Sequence, residues 1–115
     1  MNQDKRKLKR RHLIYYLHVK DRATDKTLGY LVDITTRGIL IMSEAPLEVQ
    51  QTYHLKLLVQ TDGDTAKYLN FDAQSKWCVS SVNTDFYDTG LELLNLTAED
   101  FGEIEKIIYE LGFKD

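Results

Sequence analysis

Apolar residues in this chain follow one spacing up to about residue 96 and a different one after it. Tyr53, Leu55, Leu57 and Val59 alternate with His54, Lys56 and Leu58, the two-residue step of a half-buried strand. Leu28, Tyr30 and Val32 alternate with Gly29 and Leu31 in a second such run, Thr27 to Val32. Ile14 to Val19 is rich in β-formers and apolar on both faces, so it reads as a buried strand. Ile39 to Met42 and Leu91 to Leu94 are two more short strands. Residues 66–80 form a long strand-like region with room for a bulge, carrying Tyr68, Leu69, Phe71, Ala73, Trp77 and Val79. Polar turn segments separate them at Asp21 to Asp25, Thr61-Asp62-Gly63-Asp64 and Ser80 to Asp88. Ser43 to Gln51, with the only proline (Pro46), reads as a loop.

From Thr97 the step lengthens to three and four. Thr97-Ala98-Glu99-Asp100 has the form of a capping box. Phe101, Ile104, Ile107, Ile108 and Leu111 then share one helical face, and Gly112 stands where a C-cap belongs. Plain packing on a β domain explains that stripe better than partner binding does. Six or so short strands followed by one helix predict a small antiparallel barrel or sandwich.

At 115 residues, 43% hydrophobic and 29% charged, the chain suits one globular domain rather than two or a disordered segment. No apolar run approaches the ~18 residues of a membrane span, and no signal peptide is expected. Cys78 is the single cysteine. It allows no internal disulfide and no cysteine zinc site, which fits a cytoplasmic address. The net charge of −3 conceals two unlike parts. Residues 1–12 hold six Lys/Arg against one acid, a charge of +5, and read as a flexible basic arm. The remainder holds nine against seventeen, a charge of −8. A positive arm on an acidic body draws anions to one end.

Catalytic signatures are missing. There is no P-loop, dinucleotide fingerprint, nucleophile elbow or helical metal motif. His12, His18 and His54 lack ligand spacing, and the carboxylates lie scattered through turns. The sequence therefore predicts a non-enzyme without a metal site or a cofactor.

One stretch does carry binding chemistry: Asp33-Ile34-Thr35-Thr36-Arg37-Gly38, between two strands. If the strand ran on, Asp33 and Thr35 would present a carboxylate and a hydroxyl on one face. Gly38 would allow a positive φ or the close approach of a bound group. Local backbone acceptor roles also suit Asp33 and Thr35. The counterpart of this polar shelf is the arm, with Lys5, Arg6, Lys7, Lys9, Arg10 and Arg11.

Together these residues resemble a known family. Arg6-Lys7-Leu8-Lys9-Arg10 fits R-x-x-x-R. Asp33 to Gly38 is similar to D/N-x-S-x-x-G some twenty residues later, with a strand between. Order and spacing resemble the PilZ domain, a bacterial β-barrel receptor for cyclic di-GMP. Trp77 in a late strand and Thr89-Gly90-Leu91-Glu92-Leu93 before the helix are similar to its later segments. One departure is Thr35, where the family has serine; it keeps the hydroxyl but adds a methyl and stiffens χ1.

The resemblance implies a mainly β fold: a six- to seven-stranded antiparallel β-barrel over 13–96, a basic arm over 1–12 and a C-terminal α-helix over 97–115, all one domain. It implies cyclic di-GMP as ligand, held by Arg6, Arg10, Arg11, Asp33, Thr35 and Gly38, with Lys7 and Trp77 secondary. Arginine forks suit phosphate oxygens and guanine edges, and a carboxylate accepts from the guanine N–H groups. Trp77 is either a stacking surface beside the ligand or a core residue. An unidentified downstream protein would take the signal, with the chain a monomer or weak dimer. Two rivals stand beside this reading: an adaptor of the same fold that has lost the ligand, and a small nucleic-acid-binding β module. The second is disfavoured because the body is acidic and no strand shows a basic, aromatic face.

Overall fold

The computed structural model of the chain describes residues 17–59 and 67–110. The basic arm, with Arg6, Lys7, Arg10 and Arg11, lies outside the described residues. So do Ile14 to Tyr16, the Asp-Gly turn at 61–64, and Leu111 and Gly112.

Six antiparallel strands and one helix make up the rest. They are β1 (His18–Asp21), β2 (Thr27–Ile34), β3 (Gly38–Ser43), β4 (Thr52–Val59), β5 (Lys67–Ser80), β6 (Tyr87–Leu94) and α1 (Ala98–Glu110). The strands close into a barrel in the order β1-β2-β3-β6-β5-β4. This is the small barrel with a C-terminal helix that the alternation and the resemblance predicted. Strand ends differ by a few residues. The first strand runs on to Asp21 rather than stopping at Val19, because Lys20 and Asp21 pair with Lys56 and Leu55 of β4. The last begins at Tyr87, four residues early, since β3 and β5 both offer it partners.

Alternation sets the core. Gly29 and Leu31 of β2, Ile39 and Ile41 of β3, Leu55, Leu57 and Val59 of β4, Leu69, Phe71 and Ala73 of β5, and Leu91 and Leu93 of β6 are all buried. Each fully buried aliphatic side chain contributes about 1.5–3 kcal/mol relative to exposure. Ile104 and Ile107 of α1 join the same cluster. The helix starts with the expected capping box: Asp100 N–H donates to Thr97 Oγ1 at 3.1 Å, and Thr97 N–H donates to Asp100 Oδ2 at 3.0 Å.

Charges are arranged on the β1–β4–β5 side. Lys20 and Lys56 face each other across β1 and β4. Asp25 at the β1–β2 turn lies 2.7 Å from Lys56 Nζ and 3.8 Å from Lys20 Nζ, offsetting their repulsion. The hydrogen bond from Lys56 holds the Asp25 carboxyl below its usual range. Asp72 of β5 accepts from His54 Nδ1 at 2.8 Å and is paired with Arg22. Those partners, His54 first, hold its carboxyl low as well.

Candidate functional site

Two β-bulges shape the groove. In β5, Leu69, Phe71, Ala73 and Ser75 are all buried, and a regular strand would send Trp77 inward after them. Instead the ladder slips one residue, with Ser75 opposite Leu91 and Trp77 opposite Gly90. Lys76 is the extra residue, and Trp77 emerges on the outer surface, 46% exposed. The same slip occurs in β2. Gly29 and Leu31 face inward, Leu31 pairs with Ile41, and Asp33 then pairs with Leu40, leaving Val32 extra. The inward series resumes at Ile34, and Asp33 turns out. A bulge of this kind re-aims one side chain without breaking the sheet.

The two re-aimed residues lie in one row. Asp33 pairs with Leu40, Leu40 with Gly90, and Gly90 with Trp77, across β2, β3, β6 and β5 in turn. At about 4.8 Å per strand, the Asp33 and Trp77 backbones stand about 14 Å apart along this row. Leu40 lies between the two side chains, with Gly90 beneath the indole. An open groove of about 680 Å³ runs over the row and takes in Thr35, Arg37, Gly38, Lys76 and Glu92. Trp77 therefore borders the polar shelf, and of its two expected places it takes the exposed one.

Gly90 makes this arrangement possible. A Cβ there would fall 2.4 Å from Trp77 Cε2 and 2.6 Å from Nε1. The indole thus lies directly over the bare backbone of β6. Ser75 fixes the bulge from inside the barrel. Fully buried, its Oγ donates to Glu48 O at 2.5 Å and accepts from Gln51 N–H at 3.2 Å. Gln50 N–H donates to Ser75 O at 2.7 Å, binding the 44–51 loop to the residue before Lys76.

The shelf itself differs from the expected strand face. β2 ends at Ile34, so Thr35 belongs to the β2–β3 turn and not to a continuing strand beside Asp33. The reason is local bonding. Thr35 N–H donates to Gly38 O at 2.9 Å, and Thr35 Oγ1 accepts from the N–H groups of Arg37 and Gly38, both at 3.1 Å. The same hydroxyl approaches Gly38 O at 3.3 Å. Its bonding capacity is thus taken up by the turn. Asp33 Oδ1 accepts from Ile34 N–H at 2.9 Å, while Oδ2 has no bond to a described residue. Gly38 is needed for close approach, not for a left-handed φ: a Cβ there would meet Leu91 O at 2.6 Å. Leu93 N–H donates to Arg37 O at 2.8 Å and ties the turn to β6.

Asp33, Thr35, Gly38 and Trp77 are therefore brought together; the arm residues lie outside the described part. Sequence reasoning missed Leu40, Gly90 and the charged members Arg37, Lys76 and Glu92. Arg37, Gly90 and Glu92 stood inside the motifs already singled out, whereas nothing in the local sequence marks Lys76. Lys76 Nζ and Glu92 Oε1 are 3.2 Å apart. Charges lining the described groove thus balance, two acids against two bases.

Leu31 N–H donates to Leu17 O at 2.8 Å, and β1 is antiparallel to β2. The upstream end of β1 is therefore at the Asp33 end of β2.

A closed six-stranded barrel followed by a helix defines the class of fold. Among the solved structures that share it are these two. The inhibitor of motility from Bacillus subtilis (MotI/DgrA) matches with a TM-score of 0.67 at 15% identity, over 85% of this chain and 46% of that one. The PilZ domain of YcgR from Escherichia coli, solved with c-di-GMP, matches with a TM-score of 0.63 at 18% identity, over 84% of this chain and 80% of that one. The chain thus spans less than half of the MotI/DgrA chain. No protein-family model and no curated protein matches the sequence. At such identities the likeness is one of fold, and this chain has a PilZ-like fold. Among the described residues, no helix is long and apolar enough to cross a membrane, and no cluster of His, Cys, Asp and Glu could hold a metal.

Proposed function

We propose that this chain is a cyclic di-GMP receptor in bacterial signalling, with the dinucleotide held between the groove and the basic arm. The observation that carries this reading is the row Asp33–Leu40–Gly90–Trp77. In it the Asp33 carboxylate, which would take guanine N–H groups, and the Trp77 indole, which would stack on a base, stand on one outer face with Leu40 between them. A groove whose own charges balance has little attraction for two phosphates. The +5 arm supplies it. Arg10 stands seven residues before Leu17, an extended reach of at most about 25 Å, against a row of about 14 Å. Arg6, Arg10 and Arg11 then bind phosphates and guanine edges, with Lys7 adding charge. Gly90 lets the indole lie close on β6, and Gly38 lets the turn pack against β6. Thr35 shapes the turn, and its hydroxyl reaches the ligand only by giving up one of its turn bonds. Binding draws the arm onto the barrel and so creates the surface that a downstream protein reads. The c-di-GMP in the E. coli PilZ structure is consistent with this choice of ligand.

Calorimetric titration of the full chain tests it. Micromolar or tighter affinity is expected, and Arg6→Ala, Arg10→Ala and Asp33→Ala should each lose about 2 kcal/mol, some thirty-fold. Absence of heat with the wild type would end the receptor reading.

The committed Thr35 hydroxyl favours a second reading, an adaptor of the same fold without the ligand. If Thr35→Ser creates binding where the wild type has none, that reading stands instead. Salt-sensitive binding of generic RNA or single-stranded DNA as tightly as the dinucleotide would point to a nucleic-acid module.

A further inference from the structure

Barrel closure leaves part of β5 with a strand on one side only. β4 pairs with β5 from Lys67 to Gln74, while β5 continues against β6 as far as Ser80. Among the described residues, the other edge of Lys76 to Ser80 has no backbone hydrogen-bond partner. Such an edge is a template for another strand unless it is guarded. Here the guards are weak. There is no proline, and the one charge, Lys76, leans toward Glu92 of β6 at 3.2 Å, away from the open side. The bulge at Lys76 also turns Val79 outward together with Trp77. Val79 is 53% exposed, and Val82 beyond it is fully exposed.

We infer that this edge joins two copies of the chain, each adding its Lys76–Ser80 segment antiparallel to the other about a two-fold axis at Cys78. A strand edge needs a strand to satisfy its N–H and C=O groups, and this segment complements itself. Centred on Cys78, the register sets Trp77 opposite Val79 of the second copy and Lys76 opposite Ser80, with no like charges face to face. Moving the axis to Val79 would set that valine against its own copy but face Trp77 with Ser81, losing both Trp77–Val79 pairs. The paired edges make one continuous sheet, β3-β6-β5 of one copy running into β5-β6-β3 of the next. Both grooves then lie on that sheet. A five-residue ladder is smaller than a standard stable interface, so association is weak and concentration-dependent.

Sedimentation of the full chain without ligand, from about 10 µM to about 1 mM, tests this apart from any dinucleotide binding. The wild type should shift from monomer to dimer with concentration. Val79→Lys should stay monomeric with an unchanged far-UV circular dichroism spectrum. Ser80→Lys should do the same by facing Lys76 of the second copy, and Ser80→Glu should tighten the dimer several-fold. Directly opposed residues in an antiparallel pair have Cα atoms about 4.5–5.5 Å apart, within disulfide range, so copper–phenanthroline oxidation should trap the dimer through Cys78. A wild type monomeric at about 1 mM, or a dimer untouched by Val79→Lys, overturns the proposal. A dimer that Val79→Lys breaks but Cys78 does not trap overturns the two-fold register.

Discussion

Trp77 is the only tryptophan, so indole emission excited beyond the tyrosine band reports on the groove, and Gly90→Ala is the sharpest way to disturb it. The new methyl would sit 2.4 Å from Cε2 and 2.6 Å from Cζ2 and Nε1. Ordinary carbon contacts are about 3.5–4.0 Å, so the ring must lift by about 1 Å or more. Overpacking a closed core would cost about 1–3 kcal/mol. Here the obstacle is a half-exposed ring that can swing, and replacing a strand glycine by alanine regains about 0.4–1 kcal/mol of chain entropy. Net stability should therefore change by less than about 1 kcal/mol. The site, by contrast, should change clearly. Emission shifts to the red, acrylamide quenching rises, and cyclic di-GMP affinity falls about ten-fold, equivalent to about 1.4 kcal/mol. Unchanged emission and quenching in a folded Gly90→Ala protein would show that the indole does not rest on β6, and the row would lose its stacking wall.

Gly38→Ala should behave in the opposite way, because its methyl meets the Leu91 carbonyl at 2.6 Å. Backbone cannot swing aside, so β3 and β6 must part and urea unfolding should show a loss of about 1–3 kcal/mol; a variant as stable as the wild type would contradict the packing described. Thr89 is fully buried, and among the described residues its Oγ1 has no hydrogen-bond partner, so Thr89→Val should raise stability by about 1 kcal/mol with the m-value unchanged; destabilisation would reveal a bond to that hydroxyl. Ser75→Ala should leave the bulge unclamped, seen as faster hydrogen exchange at Gln51 and altered Trp77 emission, and wild-type values for both would remove Ser75 from that role. Asp72 titrates below its ordinary 3.8 because of its bond from His54 and the Arg22 charge. A carboxyl lowered by folding stabilises above the unfolded pKa and loses that contribution as pH falls through the folded one. Asp72→Asn should therefore flatten the fall in stability below about pH 4, and a difference confined to higher pH would refute the assignment.

Much of this protein was legible from residue order because the relevant forces are local. Alternation in Tyr53 to Val59 follows from the pleat, and the Thr97–Asp100 box follows from the orphan amides of a first helical turn. The bend at Asp33 to Gly38 was marked by its residue types. Pairing was not local. Whether Val32 and Lys76 are extra residues depends on how many residues the facing strand supplies, and the sequence of β2 or β5 contains no such count. Those two slips decide that Asp33 and Trp77 point outward. Strand order then decides that they share a row with Gly90, fifty-seven residues from Asp33 in the chain. Chemistry and periodicity were thus properties of the sequence, whereas direction and adjacency arose only from the register of one strand on the next.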